Sequence, residues 1–285
     1  MLGHDGRLKG DLTLLNWGDG KWWIMGSYYL RAWHMRWFNE HLTEGVSIRD
    51  ISDGVVGFSL SGPKSRELLE RVTDSDVSPG GLPFMSCRIL DVGLIRARVG
   101  RISVTGELGY EIHCSAAEHV ALRRVLVEAG AELGAVEYGY NALLSLRTEK
   151  SFGIWSAEYR QEYTPGMTGL DRWIDWSKSF VGAEAASKEH ETDSAVRKLV
   201  TLEIDAIDAD GSGYEPVWHD GNRVGFITSG DYGHTIGKSL AMALVDREHA
   251  APGTELSAHI VGDERPARVI PPSPYDPAGA AMRAR

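Results

Sequence analysis

From residue 196 to residue 270 the chain shows almost no helical periodicity. Short apolar or alternating runs at 198–204, 224–229, 239–245, 255–260 and 267–270 are separated by turn-forming residues. Asp220-Gly221 sits between two apolar stretches and predicts a hairpin, because both central positions of such a turn favour left-handed backbone. Strands need partners for every backbone N–H and C=O, and no helix is available here to cover an open sheet. The segment therefore predicts a small all-β barrel or sandwich over 195–285, closed off by the Pro-rich stretch 271–277.

Upstream the texture is mixed. Residues 7–17 read as a strand, with Leu8, Leu12 and Leu14 on one face and Asp11, Thr13 and Leu15 on the other. Aspartate is depleted in strands, so Asp11 is either a solvated residue on a polar face or a carboxylate held rigidly toward a cavity. A second strand, 21–26, follows the turn Gly18-Asp19-Gly20. Two strands alone are marginal, so this sheet is expected to be incomplete. The stripe Leu30, Trp33, Trp37, His41 predicts a helix over 30–42. His34 and His41 lie seven apart, not at the three- or four-residue spacing of helical metal ligands, and read as structural. Residues 51–135 then read β-α-β-β-β-α: strands at 53–60, 88–99, 101–104 and 110–113, a helix opened by Gly62-Pro63, and a helix begun by the capping box Ser115…Glu118. That is an α+β sandwich, expected as a subdomain inserted in a first domain spanning 1–194. A helix over 137–151 ends in Arg147-Thr148-Glu149-Lys150, where spacing alone makes Glu149 an exposed charge.

The formal net charge of -10 argues against a nucleic-acid or anionic-membrane surface. No apolar run approaches the roughly 20 residues that cross a bilayer, and no signal peptide is visible, so a cytoplasmic protein is expected. Cys87 and Cys114 are isolated and make neither a disulfide framework nor a zinc site. Asp208-Ala-Asp210-Gly-Ser-Gly matches half a calcium loop, but the twelfth position lacks glutamate, so a turn is expected. Dinucleotide and phosphate-loop fingerprints, His-Glu-x-x-His and Gly-x-Ser-x-Gly are all missing. Enzymatic chemistry here needs polar groups placed around a bound cofactor.

The stretch from Val224 to Val245, containing Tyr232-Gly-His-Thr-Ile-Gly-Lys-Ser239, resembles the C-terminal barrel of the folate-dependent aminomethyltransferases, the glycine-cleavage T-protein and its relatives. Its form is most similar to the branch fused to dimethylglycine and sarcosine dehydrogenases. Thr105-Gly-Glu-Leu-Gly-Tyr-Glu-Ile112, Leu146-Arg-Thr-Glu-Lys150, Phe180-Val-Gly182 and Pro274-Tyr-Asp-Pro277 also resemble family blocks, in the family's order. The resemblance implies a cloverleaf of two α+β subdomains, the first incomplete here, and a C-terminal barrel. It implies transfer of a one-carbon unit from an N-methyl or aminomethyl donor to tetrahydrofolate, giving methylenetetrahydrofolate. FAD is implied only on a separate or missing domain, with a flavoprotein dehydrogenase subunit as the implied partner. Carried over residue by residue, Asp11 matches the catalytic aspartate and Glu149 the glutamate that holds the pterin, both expected at one buried hollow. Tyr110 and Trp23 are weaker candidates for stacking on the pterin. Gly26 stands where the T-protein has a cofactor-holding asparagine, which points to the dehydrogenase-linked branch. The alternative is a non-catalytic folate-binding or regulatory protein, or an inactive fragment of a larger flavin-dependent demethylating dehydrogenase.

Overall fold

The computed structural model describes residues 1–284. Its contacts gather the chain into two compact units: residues 12–139 with the C-terminal residues from 278 on, and Met1–Asp11 with Tyr140–Pro277.

In the first unit, strands β1 (Thr13–Asn16) and β2 (Trp22–Met25) form an antiparallel hairpin with Leu15 opposite Trp23. Helix α1 (Arg31–His41) follows. Then come β3 (Val55–Ser61), α2 (Ser65–Glu70), β4 (Cys87–Val92), β5 (Ile95–Gly100), β6 (Gly109–Ser115) and α3 (His119–Gly130). The four strands form one antiparallel sheet in the order β3-β6-β5-β4. Tyr110, Ile112 and Cys114 of β6, Ala97 and Val99 of β5, and Leu90 and Val92 of β4 join Leu68, Leu69, Leu122 and Leu126 of the two helices in one core. The opposite face of the sheet carries mostly polar and small residues, such as Gly57, Ser59, Arg98, Gly100, Glu111 and His113, together with Val55 and Ile89.

Three expectations need correction. The strand expected over 7–17 exists only as β1, and Asp11 precedes it. Leu8 donates its N–H to the Tyr163 carbonyl at 2.9 Å, so this part of the run pairs within the second unit. The buried leucine of β1 is Leu15 (5% exposed), while Leu14 is 57% exposed, the reverse of the expected faces. One period could not hold because the run divides between two units at Asp11. The strand expected over 88–99 is two strands, turned at Gly93, whose φ of +58° suits glycine. Residues 101–104 form no strand. The Arg101 backbone N–H bonds to Ser86 at 2.8 Å, and its buried guanidinium donates to the Leu82 carbonyl at 3.0 Å.

The second unit holds α4 (Tyr140–Glu149), α5 (Pro165–Thr168), α6 (Ala183–Thr192) and six strands: β7 (Arg197–Ile204), β8 (Pro216–His219), β9 (Asn222–Gly233), β10 (Lys238–Asp246), β11 (Glu255–Ile260) and β12 (Asp263–Ile270). These close into a barrel in the order β10-β7-β12-β11-β8-β9. Closure removes both edges, as the strand-rich pattern demanded. The barrel core mixes small and large residues, with Ala241, Ala243, Ala258 and Ala267 among Leu202, Ile204, Val217 and Ile227.

The C-terminal end of α4 is fixed by buried charge. Arg147 and Glu158, both almost fully buried, approach to 3.5 Å. Oε1 of Glu158 accepts from the hydroxyls of Thr228 and Ser229, each at 2.6 Å, and Oε2 from the Ile154 N–H at 3.0 Å. Lys150 donates to the carbonyls of Tyr275 at 2.9 Å and Asp276 at 2.6 Å. Breaking a buried pair from one side strands the other charge. Glu158→Leu is therefore expected to destabilise the protein by about 3–5 kcal/mol, measured as a lowered urea midpoint. A loss under about 1 kcal/mol would show that Arg147 finds solvent.

Candidate functional site

Strand β6 lies between β3 and β5, so a charged side chain on it needs a reason. Its burial alternates: Tyr110, Ile112 and Cys114 go to the core, while Glu111 and His113 point to the other face. Glu111 stands between Ser59 and Gly100, and His113 between Gly57 and Arg98. Small neighbours leave space above both side chains. A Cβ at Gly57 would lie 2.8 Å from the His113 ring, so glycine is required for that ring's position. The β1–β2 hairpin adds aromatic walls. Trp23 meets His113 edge-on at 6.0 Å and Trp17 at 5.4 Å. The Arg98 guanidinium lies over Trp23 at 4.7 Å and Trp17 at 5.7 Å, in cation–π geometry.

Four polar atoms in this cluster are buried without a hydrogen-bond partner: Trp17 Nε1, Arg98 Nε, Glu111 Oε2 and His113 Nδ1. Buried polar atoms are nearly always paired in native proteins, so a group of four around two indoles singles this face out as the candidate site. Burial pushes the Glu111 carboxyl above its usual range. Burial likewise holds the His113 imidazole below its usual range, against the pull of the Arg98 backbone carbonyl. At 3.9 Å, Glu111 and His113 are close without a hydrogen bond.

Glu111, His113, Arg98 and Trp17 escaped the sequence reading. The signal was available: two ionisable residues alternate with three apolar ones over Tyr110–Cys114, a run that begins inside the Thr105–Ile112 block and continues past it. Tyr110, chosen instead from that block, is 0% exposed and points into the core on the opposite face. Trp23 lines the polar face. Gly26 is exposed, and a Cβ there would come within 2.4 Å of the Leu12 side chain, which gives it a packing reason of its own.

Asp11 lies in the second unit, before the hairpin. Part of its side chain reaches solvent, yet the surrounding protein is dense enough that burial raises its carboxyl pKa. Tyr159 nearby is pushed up to about 12, first by burial and then by the Asp11 charge. Glu149 is 1% exposed, not the exposed charge that spacing suggested. Its Oε1 accepts from the backbone N–H of Thr235 at 2.6 Å and Ile236 at 2.9 Å, in the turn between β9 and β10. It therefore fastens α4 to the barrel. Two cavities lie in this unit: one of about 920 Å³ at the barrel mouth, lined in part by Asp205, Asp208 and Asp210, and one of about 170 Å³ beside Tyr159. Neither is lined by Asp11 or Glu149. Asp208 is paired with Arg265 at 2.6 Å.

A closed antiparallel barrel fed by an α+β region is the architecture of the aminomethyltransferases. The glycine cleavage aminomethyltransferase T of Bartonella henselae superposes over 97% of this chain and 74% of its own, with a TM-score of 0.85 at 21% identity. The model of the GCVT N-terminal domain matches residues 1–178, and that of the glycine cleavage T-protein C-terminal barrel domain matches 197–276. The chain belongs to this family. It is 32% identical to human mitochondrial dimethylglycine dehydrogenase over 95% of this chain and 32% of the dehydrogenase. It is 30% identical to an aminomethyltransferase of Geobacillus sp. (strain WCH70) over 95% of this chain and 74% of that protein. The chain thus spans about a third of the dehydrogenases it matches. Among the described residues, no helix is long and apolar enough to cross a membrane, and both cysteines are free.

The raised carboxyl of Glu111 fixes a pH dependence. Between its unfolded and folded pKa values the folded state binds more protons, so stability falls as pH rises through that window, starting near 4.5. Glu111→Gln removes this loss. Thermal melts from pH 4 to 8 are expected to show the variant gaining on the parent as pH rises. Parallel curves would show a well-solvated carboxylate.

Proposed function

We propose that this protein passes a one-carbon unit from an N-methylated or aminomethylated amine to tetrahydrofolate, giving methylenetetrahydrofolate. The observation that carries this is the set of four unpartnered buried polar atoms beside Trp17 and Trp23. The aminopyrimidinone edge of a pterin offers adjacent N–H donors and an oxo acceptor on a flat ring. Glu111 suits the donors, since a carboxylate accepts two parallel bonds, and the Trp17 N–H and Arg98 suit the acceptor. Trp23 gives the ring a face to rest on. His113, kept neutral by burial, adds no competing cation. Tetrahydrofolate supplies the amine that accepts the carbon.

Asp11 is assigned the reacting cation. An iminium is stabilised by a carboxylate held beside it. Exclusion of water protects an iminium from loss as formaldehyde. Glu149 supports the fold in this reading by holding the β9–β10 turn. The division at residue 194, with the folate machinery before it and the barrel after it, is part of the same proposal. Formation of the iminium by oxidation is assigned to a flavoprotein partner or a flavin domain, in keeping with the likeness to dimethylglycine dehydrogenase.

Asp11→Asn is expected to lower methylenetetrahydrofolate formation by ~10²-fold or more, with tetrahydrofolate still quenching tryptophan fluorescence. Undiminished turnover would reject the catalytic role. Glu111→Ala is expected to weaken tetrahydrofolate binding at least about tenfold, the scale of a lost charged hydrogen bond. An unchanged titration would remove Glu111 from the pocket. Binding without any turnover in the parent, supplied with its flavoprotein partner, would select the non-catalytic reading.

A further inference from the structure

The barrel mouth is built entirely within the second unit, and the transfer reaction leaves it unused. Tyr232, Ser239, Ile204 and Ala267 stand in register across β9, β10, β7 and β12, so their side chains share one face of the sheet. All four line the cavity of about 920 Å³. Ser239 begins the inward series that Ala241, Ala243 and Val245 continue along β10, so alternation aims its hydroxyl into the mouth. The residue is 1% exposed, and its Oγ has no hydrogen-bond partner among the described residues. Buried hydroxyls are ordinarily paired, so this one is open to a group that a ligand brings.

The rim supplies charge. Among the described residues, Glu203, Asp205, Asp208, Asp210 and Glu255 line the cavity, against Lys238 and Arg268. Glu203 takes Lys238 at 3.3 Å and Arg268 at 3.7 Å, and Asp208 takes Arg265 at 2.6 Å. Arg268 stands opposite Glu255 in the β11–β12 register but reaches Glu203 instead. Asp205, Asp210 and Glu255 form no ion pair among the described residues. Three carboxylates without counter-charges in a concave mouth focus a negative potential there. They come from the end of β7, the connection to β8 and the start of β11. Being spread apart, they do not share one point charge: no group of three His, Cys, Asp or Glu among the described residues is placed to hold a metal ion. The wall between them is partly apolar, with Ile204, Ala206 and Ile207, and Tyr232 adds a ring that is 39% exposed.

We propose that the barrel mouth binds a linear polyamine. Ammonium groups separated by methylene stems meet carboxylates that are themselves separated, which a single ion cannot do. One ammonium donates to the Ser239 hydroxyl, the stems rest on Ile204 and Ile207, and a second ammonium lies against the Tyr232 ring, a favourable place for a cation. The volume is at the upper end of the range for ligand cavities, which suits an elongated molecule.

The test is calorimetric titration of the full chain at fixed ionic strength with spermidine, with n-butylamine as the single-charge control and magnesium chloride as the inorganic one. One saturable spermidine site is expected, with n-butylamine at least about tenfold weaker, the loss of one hydrogen-bonded charge. Asp205→Asn and Asp210→Asn should each weaken spermidine about threefold and together about tenfold, the scale of exposed ion pairs. Ser239→Ala should weaken it about threefold, as for a neutral hydrogen bond. Lys238→Gln removes a rim cation and should tighten it, a change of opposite sign that damage to the fold would not produce. Thermal melts without ligand check that each variant is folded. Absence of a saturable spermidine site, equal affinities across folded variants, n-butylamine binding as tightly as spermidine, or magnesium binding with the same dependence on Asp205 and Asp210 would each overturn the proposal.

Discussion

The second unit depends on what happens at the end of α4. Three charged side chains within four residues, Arg147, Glu149 and Lys150, are buried there, and each would be costly without a partner. Arg147 meets Glu158, Glu149 takes two N–H groups from the β9–β10 turn, and Lys150 caps carbonyls of Tyr275 and Asp276. Each partner comes from a different stretch of chain. Three of the blocks that resemble the family, at 146–150, 232–239 and 274–277, are thus largely one another's partners. Their value lies in the joint: backbone groups are fixed partners that cannot move away, so satisfied charges hold the helix, the barrel turn and the final segment in one arrangement.

The first unit follows a different logic. Its sheet is held by an ordinary apolar core on one face, so the other face is free to carry groups that a core would reject. Glu111 and His113 are placed there by alternation on β6, and Gly57, Ser59 and Gly100 keep space above them. The unpartnered polar atoms are destabilising on their own. Such a penalty persists where a ligand relieves it, and the same strand that pays into the core through Tyr110 and Ile112 holds the cost in place.

Much of the fold was legible in the sequence because it follows from local periodicity. An all-β barrel or sandwich was readable from strands without helices, α3 from its capping box at Ser115 and the glycine that ends it, and α1 and α4 from their apolar residues. The site was less so. Asp11 was noticed because aspartate is uncommon in strands, although the strand begins two residues later. Glu149 was noticed as part of a family block, but sequence does not reveal that its oxygen is taken by a turn more than eighty residues away. Tyr110 and Glu111 are neighbours on one strand, and only the structure shows which of them turns to the core and which to the polar face.

By itself the sequence determined most of the secondary elements, the all-β character of the C-terminal third and the family, because these depend on short-range pattern and on block order. Only the tertiary structure decided which side of β6 faces a core, which charges satisfy backbone and which polar atoms are left waiting. The reason is physical: burial and hydrogen-bond pairing are set by residues distant in the chain, and a one-residue change of register exchanges the two faces of a strand.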